Sequence, residues 1–303
     1  MRLEGLTVID AESEMIANAT MPENQNSVTI ARRGPVEVKL VTTAEDIHSS
    51  QDLRYRVFYQ EMSARPDSDT LKTKLDKDAF DDICEHLIAI DHSCKNCDVG
   101  GSGTGPAVIG TYRLLPQDTA EKNGGFYTSA EFDIAPLINS KRNTHKFLEL
   151  GRSCVLKQYR TKQILELMWH GIWRYVRLRN LDVMLGCASF EGVDPQEFAL
   201  ALSFLHHKCS APQEWAVKAL PQRYVNMNRM DENQLDLRAA MRMMPPLIKG
   251  YLRLGAYIGE GAVIDEQFGT VDILIILPNS RISTRYLTRF NDLGEHITLD
   301  AVV

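Results

Sequence analysis

The stretch Phe147-Leu-Glu-Leu-Gly-Arg-Ser-Cys-Val-Leu156, followed by Lys157-Gln-Tyr-Arg-Thr-Lys162, decides how this chain folds. The first part is an apolar run of strand length, and residues 165–176 repeat apolar side chains at helical spacing. Thr161 stands where a helix N-cap is expected. The stretch therefore predicts a strand that turns directly into an amphipathic helix.

The pattern continues on both sides of this unit. Upstream, it predicts a strand from residue 36, a helix over 44–62, and a pair of strands at 86–91 and 107–115. Downstream, it predicts a strand at 181–190, helices at 197–207, 246–254 and 280–293, and a strand at 270–277. This order is typical of an α/β (α+β) fold with a mixed central sheet flanked by helices.

Composition divides the chain into three parts. Residues 10–35 are polar with isolated apolar side chains, so we expect residues 1–35 to form a mobile leader. Residues 36–217 carry the regular strand and helix pattern and are predicted to form the core. Residues 218–303 are predicted to be a C-terminal extension that packs on the core.

Charge and cysteine content exclude several classes of protein. The 303 residues include 40 acidic and 34 basic side chains, and the formal charge of -6 argues against a nucleic-acid partner. No apolar stretch approaches the roughly 20 residues of a membrane-spanning helix, and the N-terminal residues lack the layout of a secretory signal. Six scattered cysteines are typical of reduced thiols. We therefore expect a cytoplasmic protein.

Cys94-Lys-Asn-Cys97 offers the spacing of zinc ligands, but a second spaced pair is missing. The pair also lies in a glycine-rich segment. The sequence therefore predicts a loop with free thiols, and no metal site.

Several charged residues interrupt segments that otherwise resemble strand or core helix. Burying them without partners costs several kcal/mol each. We therefore expect them to pair with one another, as a structural network, or with a polar ligand. They are Arg54, Asp78, Asp81, Arg113, Glu149 and Arg152.

Four of these segments resemble acyl-homoserine-lactone autoinducer synthases in order and spacing: Leu53-Arg-Tyr-Arg-Val-Phe58, Asp78-Ala-Phe-Asp81, Gly110-Thr-Tyr-Arg-Leu-Leu-Pro116 and Glu149-Leu-Gly-Arg-Ser-Cys-Val155. The resemblance implies the GNAT N-acyltransferase fold and an acyl group supplied by acyl carrier protein. The tryptophan that follows the first motif in that family is absent here, where Met62-Ser-Ala-Arg-Pro66 stands instead. This departure argues against a lactone-forming substrate.

The last third resembles the C-terminal segment of ornithine N-acyltransferases, through Pro245-Pro-Leu-Ile-Lys-Gly-Tyr-Leu-Arg-Leu-Gly-Ala256, Asp265-Glu-Gln-Phe-Gly-Thr-Val-Asp272 and Tyr286-Leu-Thr-Arg-Phe290. This resemblance implies transfer of a 3-hydroxyacyl chain from acyl carrier protein to the α-amine of L-ornithine, giving lyso-ornithine lipid. No cofactor is implied beyond the acyl carrier protein co-substrate. An autoinducer synthase and a non-catalytic module that binds acyl carrier protein stay open as alternatives.

The resemblance also implies roles for individual residues. Glu149 is the candidate general base for the attacking amine, with Arg152 beside it; Glu149 is alternatively a binding group. The candidate substrate-binding residues are Arg54, Phe58, Asp78, Asp81 and Arg113. Their arginines suit the acceptor carboxylate and their aspartates its side-chain ammonium, unless the two sets only brace each other.

The turn after the central strand points to the donor. GNAT proteins bind the pyrophosphate of coenzyme A at a glycine-bearing turn, but here Gln158 is followed by Thr161 and Gln163 in the glycine positions. This favours a carrier-protein donor. Candidate residues for the phosphopantetheine arm or for carrier-protein docking are Lys157, Gln158, Arg160, Thr161 and Lys162. Arg281, Arg285 and Arg289 form a second basic stripe, for which peripheral contact with anionic lipid at the inner face of the membrane is the alternative.

Overall fold

An eight-stranded sheet organises the chain, in the spatial order β1-β2-β3-β4-β5-β6-β8-β7. The structure is a computed structural model, and it describes residues 27–41, 43–62, 64–94 and 107–292. The strands are β1 (Ser27–Arg33), β2 (Val36–Val41), β3 (Glu85–Asp91), β4 (Ala107–Pro116), β5 (Phe147–Val155), β6 (Val183–Glu191), β7 (Tyr257–Asp265) and β8 (Thr270–Pro278).

The sheet is mixed, as predicted. β5 and β6 run parallel, and the other neighbouring strands are antiparallel. Parallel neighbours need a long crossover, and the helix after β5 supplies it. The β3–β4 pair confirms the two strands predicted there, although the connection over residues 95–106 lies outside the described residues.

Nine helices accompany the sheet in the described ranges. They are α1 (Ala44–Tyr55), α2 (Ser68–Thr73), α3 (Gln117–Lys122), α4 (Ala135–Lys141), α5 (Lys162–Leu178), α6 (Ala199–Cys209), α7 (Leu237–Met243), α8 (Pro246–Leu254) and α9 (Thr284–Asp292). α1 continues into a π-helical segment, Arg56–Glu61, where the sequence predicted an unbroken helix. The hydroxyl of Thr161 accepts the N–H of Ile164, which confirms the predicted N-cap of α5.

Both faces of the sheet are buried. Along β5, Phe147 belongs to one apolar cluster and Leu148 to the other, and Leu274 and Ile275 divide in the same way on β8. Successive side chains point to opposite faces of a strand, so each cluster covers one face. Helices α1 and α5 pack on the face that carries Leu148.

The predicted boundary of the leader at residue 35 is wrong, because residues 27–33 form the edge strand β1. Ile30 and Ala31 are both buried there. A bulge between Thr29 and Ala31 interrupts the alternation of buried and exposed side chains, so the strand gave no period-two pattern. Residues 1–26 lie outside the described residues.

The C-terminal part differs from the extension predicted for residues 218–303. It supplies β7 and β8 to the same sheet, and β8 pairs with β6 over nine residues. β7 contains Gly259 and Gly261 and an irregular register, which is why the sequence did not reveal it as a strand.

Candidate active site

The site begins where β5 and β6 separate. Their ladder covers three residue pairs, Phe147↔Val183 to Glu149↔Leu185, although both strands continue beyond it. Gly186 has a φ of 153°, and a Cβ at this position would collide with the carbonyl oxygen of Leu150. A glycine is therefore needed at the last close approach of the two strands.

A bulge in β5 lies just after this point. Thr111 pairs with Cys154 and Arg113 with Gly151, which leaves Arg152 and Ser153 opposite the single residue Tyr112. Arg152 has a φ of 48°, an unusual conformation for a residue other than glycine. Bulges redirect side chains, and strained backbone of this kind is often found at functional sites.

A cavity of about 1060 Å³ opens between the separated strands. Gly151, Arg152 and Ser153 line it from β5, and Cys187, Ala188 and Ser189 line it from β6. Much of its wall is apolar and comes from Phe58, Met62, Met168, Trp169, Leu254 and Phe268. The Met-rich segment 227–244 contributes no residue to the described lining; Met227 and Met244 are buried in the core instead.

Six charged residues form a compact network on one side of the cavity, here called the arginine–aspartate cluster: Arg54, Arg113, Arg152, Asp76, Asp78 and Asp81. Arg54 is completely buried, and its Nη1 and Nη2 atoms each donate to one oxygen of Asp81 at 2.8 Å. Its Nε atom lies 2.8 Å from Oδ2 of Asp76. This is the two-pronged geometry that a guanidinium and a carboxylate favour.

The other two arginines reach the remaining carboxylate of the cluster. Nη1 of Arg113 donates to Oδ1 of Asp78 at 2.5 Å, and Nη2 of Arg152 donates to Oδ2 of Asp78 at 2.9 Å. Nε of Arg152 also donates to Asp76 at 3.1 Å. Three guanidinium groups therefore face three carboxylates, and the cluster is close to neutral.

The pKa shifts follow from this pairing. Burial by itself raises the pKa of Asp81, but the hydrogen bonds and charge of Arg54, with the charge of Arg113, hold that pKa well below its usual range. Burial disfavours the charged form of Arg152, yet Asp76, Tyr127 and Asp78 raise its pKa above the ordinary arginine value. The pairing therefore favours the charged forms of Asp81 and Arg152.

These contacts bear on the predicted substrate-binding residues. Phe58, Arg113 and Arg152 line the cavity, whereas Arg54, Asp78 and Asp81 are not among its lining residues. Arg54 and Asp81 are buried against each other, and this geometry matches the alternative prediction that the arginines and aspartates brace each other. Asp76 was missed, because a lone aspartate in a polar segment carries no sequence signal.

Glu149 lies at the branch point and lines the cavity. Its carboxylate accepts the backbone N–H groups of Tyr127 and Thr128 at 2.8 and 2.7 Å, from the short 3₁₀ turn Tyr127–Ala130. Burial raises its pKa, and the hydrogen bonds from the turn and the charge of Arg113 offset this only in part. A carboxylate with a raised pKa beside a cavity suits proton transfer.

A second charged group, here called the acidic cluster, consists of Glu131, Asp265 and Asp272. One carboxylate oxygen from each residue lies within 4.8 Å of the others. Asp265 and Asp272 line the large cavity, and Glu131 and Asp265 line an adjoining pocket of about 310 Å³. The sequence included Asp265 and Asp272 in a family motif but gave them no role, and Glu131 carried no signal.

The mouth of the cavity is basic. Five cationic side chains line it: Arg160, Lys162, Lys249, Arg253 and Arg285. Arg160 also donates to Oε2 of Glu61 at 2.9 Å. Of the other predicted docking residues, Lys157 and Gln158 are exposed beside the mouth, and Thr161 caps α5.

The second basic stripe is not continuous on one helix. Arg281 lies in the turn before α9 and donates to the carbonyl oxygen of Gly255 at 3.1 Å, while Arg285 lies on α9. The side chain of Arg289 lies outside the described residues. Within the described residues, no helix combines the length and the apolar character needed to cross a bilayer.

Comparison with known proteins agrees with this architecture. Residues 53–170 match the acetyltransferase (GNAT) domain family, which confirms the predicted fold. The chain is 46% identical over 272 residues to the L-ornithine N(alpha)-acyltransferase of Agrobacterium fabrum, covering 90% of both chains. It is 43% identical to the enzyme of the same name from Rhizobium meliloti, covering 95% of this chain and 94% of that one.

The solved structures that match this chain have low sequence identity to it. The N-acyl amino acid synthase FeeM from uncultured soil microbes superimposes with a TM-score of 0.44 at 9% identity, over 81% of this chain and 91% of that chain.

Proposed function

This chain belongs to the L-ornithine N(alpha)-acyltransferase family, and from this premise we propose that it transfers a 3-hydroxyacyl chain from acyl carrier protein to the α-amine of L-ornithine, giving lyso-ornithine lipid. The chain is an acyltransferase. One observation carries the proposal: the cavity between β5 and β6 has an apolar wall, a carboxylate at its branch point and a basic mouth.

The apolar wall supports a lipid-like donor. Phe58 and Phe268 meet edge to face with their ring centroids 5.5 Å apart, and both line the cavity. A volume of about 1060 Å³ lies at the upper end of the usual range for ligand pockets, so the cavity has room for an acyl chain as well as a small acceptor.

Glu149 is the proposed general base. An amine attacks a thioester carbonyl only in its neutral form, so the α-ammonium of ornithine must first lose a proton. Burial raises the pKa of Glu149, which brings its basicity closer to that needed at neutral pH. The C–N bond then forms, the C–S bond breaks, and the departing thiolate takes up a proton.

The separated strand is the proposed oxyanion site. Beyond Glu149, β5 no longer pairs with β6, and its backbone borders the cavity at Gly151, Arg152 and Ser153. Backbone N–H groups that face a developing negative charge stabilise the tetrahedral intermediate. Arg152 contributes positive charge beside this backbone, held in place by Asp76 and Asp78.

The basic mouth supports a carrier-protein donor. Acyl carrier proteins are acidic, and complementary charge at a docking surface raises the association rate. Thr161, which caps α5, and Gln163, in the first turn of α5, stand where coenzyme A enzymes of this fold have glycine, which supports a donor with a single phosphate.

The test compares matched 3-hydroxyacyl donors, one on acyl carrier protein and one on coenzyme A, with L-ornithine as acceptor and mass spectrometry of the product. We expect acylated ornithine from the carrier-protein donor at a rate that falls with salt. The double variant Arg160→Glu/Lys162→Glu should lower kcat/KM several-fold for that donor and flatten the salt dependence. Turnover at saturating donor should change much less.

The matched control is Lys122→Glu/Lys146→Glu, which makes the same charge change at two exposed residues that do not line the cavity. It should leave both the rate and its salt dependence unchanged. Equal efficiency with both donors would instead favour an ordinary coenzyme A acyltransferase, and absence of acylated ornithine with either donor would refute the proposed acceptor.

A further inference from the structure

The acidic cluster lies where the two cavities meet, and its charge is not balanced by its surroundings. Nη2 of Arg223 lies 3.5 Å from Oε1 of Glu131, and Arg223 is the basic side chain that contacts the cluster among the described residues. This cluster of three carboxylates therefore contacts one guanidinium, which is itself one-third exposed. The charge of Arg152 also acts on Glu131, but Arg152 is already paired with Asp76 and Asp78.

The other contacts of the cluster come from neutral donors. Oδ1 of Asp265 accepts the backbone N–H groups of Gln267 and Phe268 at 2.8 and 2.9 Å. Oε2 of Glu131 lies 3.2 Å from the Cys187 thiol, which donates to it. These bonds orient the carboxylates but add no positive charge.

Asp272 provides an independent indication that the cluster binds a cationic donor. Its side chain is only 7% exposed, and its Oδ1 atom has no hydrogen-bond partner among the described residues. A buried carboxylate oxygen without a donor is costly. Because Asp272 lines the cavity and faces Glu131 and Asp265, a cationic donor that enters the cavity can satisfy this oxygen.

The acidic cluster is close to the proposed general base. The N–H of Thr128 donates to Oε1 of Glu149 at 2.7 Å, and the hydroxyl of Thr128 lies 4.0 Å from the sulfur of Cys187. Cys187 in turn donates to Glu131. Thr128 and Cys187 therefore connect the proposed general base to the acidic cluster, and Glu149, Asp265 and Asp272 line the same cavity.

We propose that the acidic cluster binds the side-chain ammonium of the acceptor amino acid and so selects an acceptor with a cationic side chain. This subsite rests on the proposed function, in which the α-amine of the same acceptor reacts near Glu149. It replaces the predicted use of Asp78 and Asp81 for this purpose, since arginines already occupy both of them.

An ammonium fits the cluster better than a metal ion. An ammonium presents three N–H donors, one for each carboxylate. A hard divalent cation takes six or more oxygen ligands or retains several waters, whereas the oxygens of Asp265 and Glu131 already accept hydrogen bonds.

The pKa shifts agree with a site that binds a cation. Burial and the charge of Glu131 raise the pKa of Asp272 to about 7, against the effect of the Thr270 and Ser189 hydroxyls. Burial also raises the pKa of Glu131, more than Cys187 and Arg223 lower it. Positive charge brought between these groups lowers both pKa values, so its binding is favoured.

The test compares L-ornithine with L-norvaline, which has the same carbon skeleton without the terminal amine. We expect the wild-type protein to prefer ornithine strongly. Asp272→Asn and Glu131→Gln should each lower kcat/KM for ornithine about tenfold to a hundredfold, the loss typical of a hydrogen bond to a charged group. The low rate with norvaline should stay the same or rise. Glu260→Gln is the matched control, since this exposed glutamate pairs with Lys218 on the surface.

Each outcome is decisive. If Asp272→Asn does not fold, the same comparison of ornithine and norvaline is made with Glu131→Gln alone. Variants that lose activity equally with both amino acids, and so keep the ornithine preference, would overturn the subsite and leave the proposed function standing. An ornithine rate abolished by EDTA and restored by Mg²⁺ would mean that the cluster holds a metal ion, which also overturns it. A wild-type protein that never acylates ornithine refutes the proposed function itself.

Discussion

The arginine–aspartate cluster and the acidic cluster each contain three carboxylates beside the same cavity, but they differ in their partners. The first pairs three carboxylates with three guanidinium groups, whereas the second has the single contact with Arg223. The pKa of Asp81 in the first is held below its usual range, while that of Asp272 in the second is raised to about 7.

The two clusters therefore use buried charge for different purposes, one structural and one for binding. A cluster whose charges cancel holds its members in one geometry, here the bulge of β5 that carries Arg152. A cluster whose charges do not cancel is destabilised in the free protein and is relieved by a ligand of opposite charge. Tyr127 lies next to both clusters. Arg113 and Arg152 face its ring, and Tyr127 lines the small pocket that also contains Glu131 and Asp265.

The largest effect is expected at Glu149, which accepts the backbone N–H of Tyr127 and lines the cavity beside both clusters. Glu149→Gln should lower kcat about a hundredfold to ten-thousandfold, because the amide keeps the shape and loses the basicity. Stability should fall by about 1 kcal/mol, since the amide oxygen can accept one of the two N–H groups of the turn. Steady-state rates and urea unfolding measure the two effects. Near-normal turnover at neutral pH would exclude Glu149 as the general base.

Breaking the neutral cluster should cost the most stability. Arg54→Met leaves Asp81 and Asp76 without their principal partner in a buried site, and loss of one member of a buried ion pair costs about 3–5 kcal/mol. Urea unfolding is the measurement. Arg142→Met is the control, because Arg142 and Glu121 form an exposed pair worth less than about 1 kcal/mol. Similar losses in the two variants would mean that the cluster does not stabilise the fold.

In the acidic cluster, loss of a charged group should raise the free energy of unfolding and not lower it. Asp272→Asn should stabilise the protein without substrate at pH 8, because it removes a buried charge that Glu131 and Asp265 repel. At about 1.4 kcal/mol for each pKa unit, the gain is of the order of 2–4 kcal/mol. Urea unfolding at several pH values measures it, and a destabilised Asp272→Asn protein at pH 8 would show that the carboxylate is well compensated.

The pH dependence of this gain has a defined direction. The pKa of Asp272 rises from 3.8 to about 7 on folding, so between these values the folded protein binds more protons than the unfolded chain. The free energy of unfolding of the wild-type protein therefore falls as pH rises through this window. The advantage of Asp272→Asn should be small near pH 4 and complete above pH 7, and a gain that does not vary with pH would contradict the assignment.

The smallest effect tests geometry without a change of charge. Arg152→Lys keeps the positive charge but cannot contact Asp76 and Asp78 with two separate donors in the same fork. We expect a loss of roughly 1–2 kcal/mol in stability, the value of one hydrogen bond to a charged group, with a lower kcat. Full activity and stability would mean that charge alone suffices here.

Much of the fold follows from local sequence patterns. The predicted helix 246–254 matches α8 residue for residue, and the strand, cap and helix from 147 onward agree with β5, Thr161 and α5. Side-chain periodicity and capping involve residues a few positions apart, so one sequence is enough to reveal them. The strands β1 and β7 were not predicted from the sequence, because bulges and glycines break the period of two on which strand prediction depends.

The candidate site was predictable only in part. Arg113, Glu149 and Arg152 stood out as charges within strands, and the structure brings them to one cavity. Asp76 and Glu131 lie in segments of ordinary polarity, so nothing in the sequence distinguished them from surface residues. The sequence did not distinguish substrate contact from bracing of the arginines for Asp78 and Asp81, because the pairing of an aspartate cannot be read from its immediate neighbours.

The sequence by itself determined the order of most strands and of the longer helices, the family and the set of charges available for chemistry. Tertiary structure alone decided which charges meet: Arg54 and Asp81 are 27 residues apart in the chain, and Glu131 reaches Cys187 on β6 across 56 residues. The interaction of two charges depends on their separation and burial, and folding sets both of these quantities. Asp81 and Asp272 have the same intrinsic acidity, but their pKa values differ in the folded protein. Asp81 pairs with arginines, whereas Asp272 lies among carboxylates.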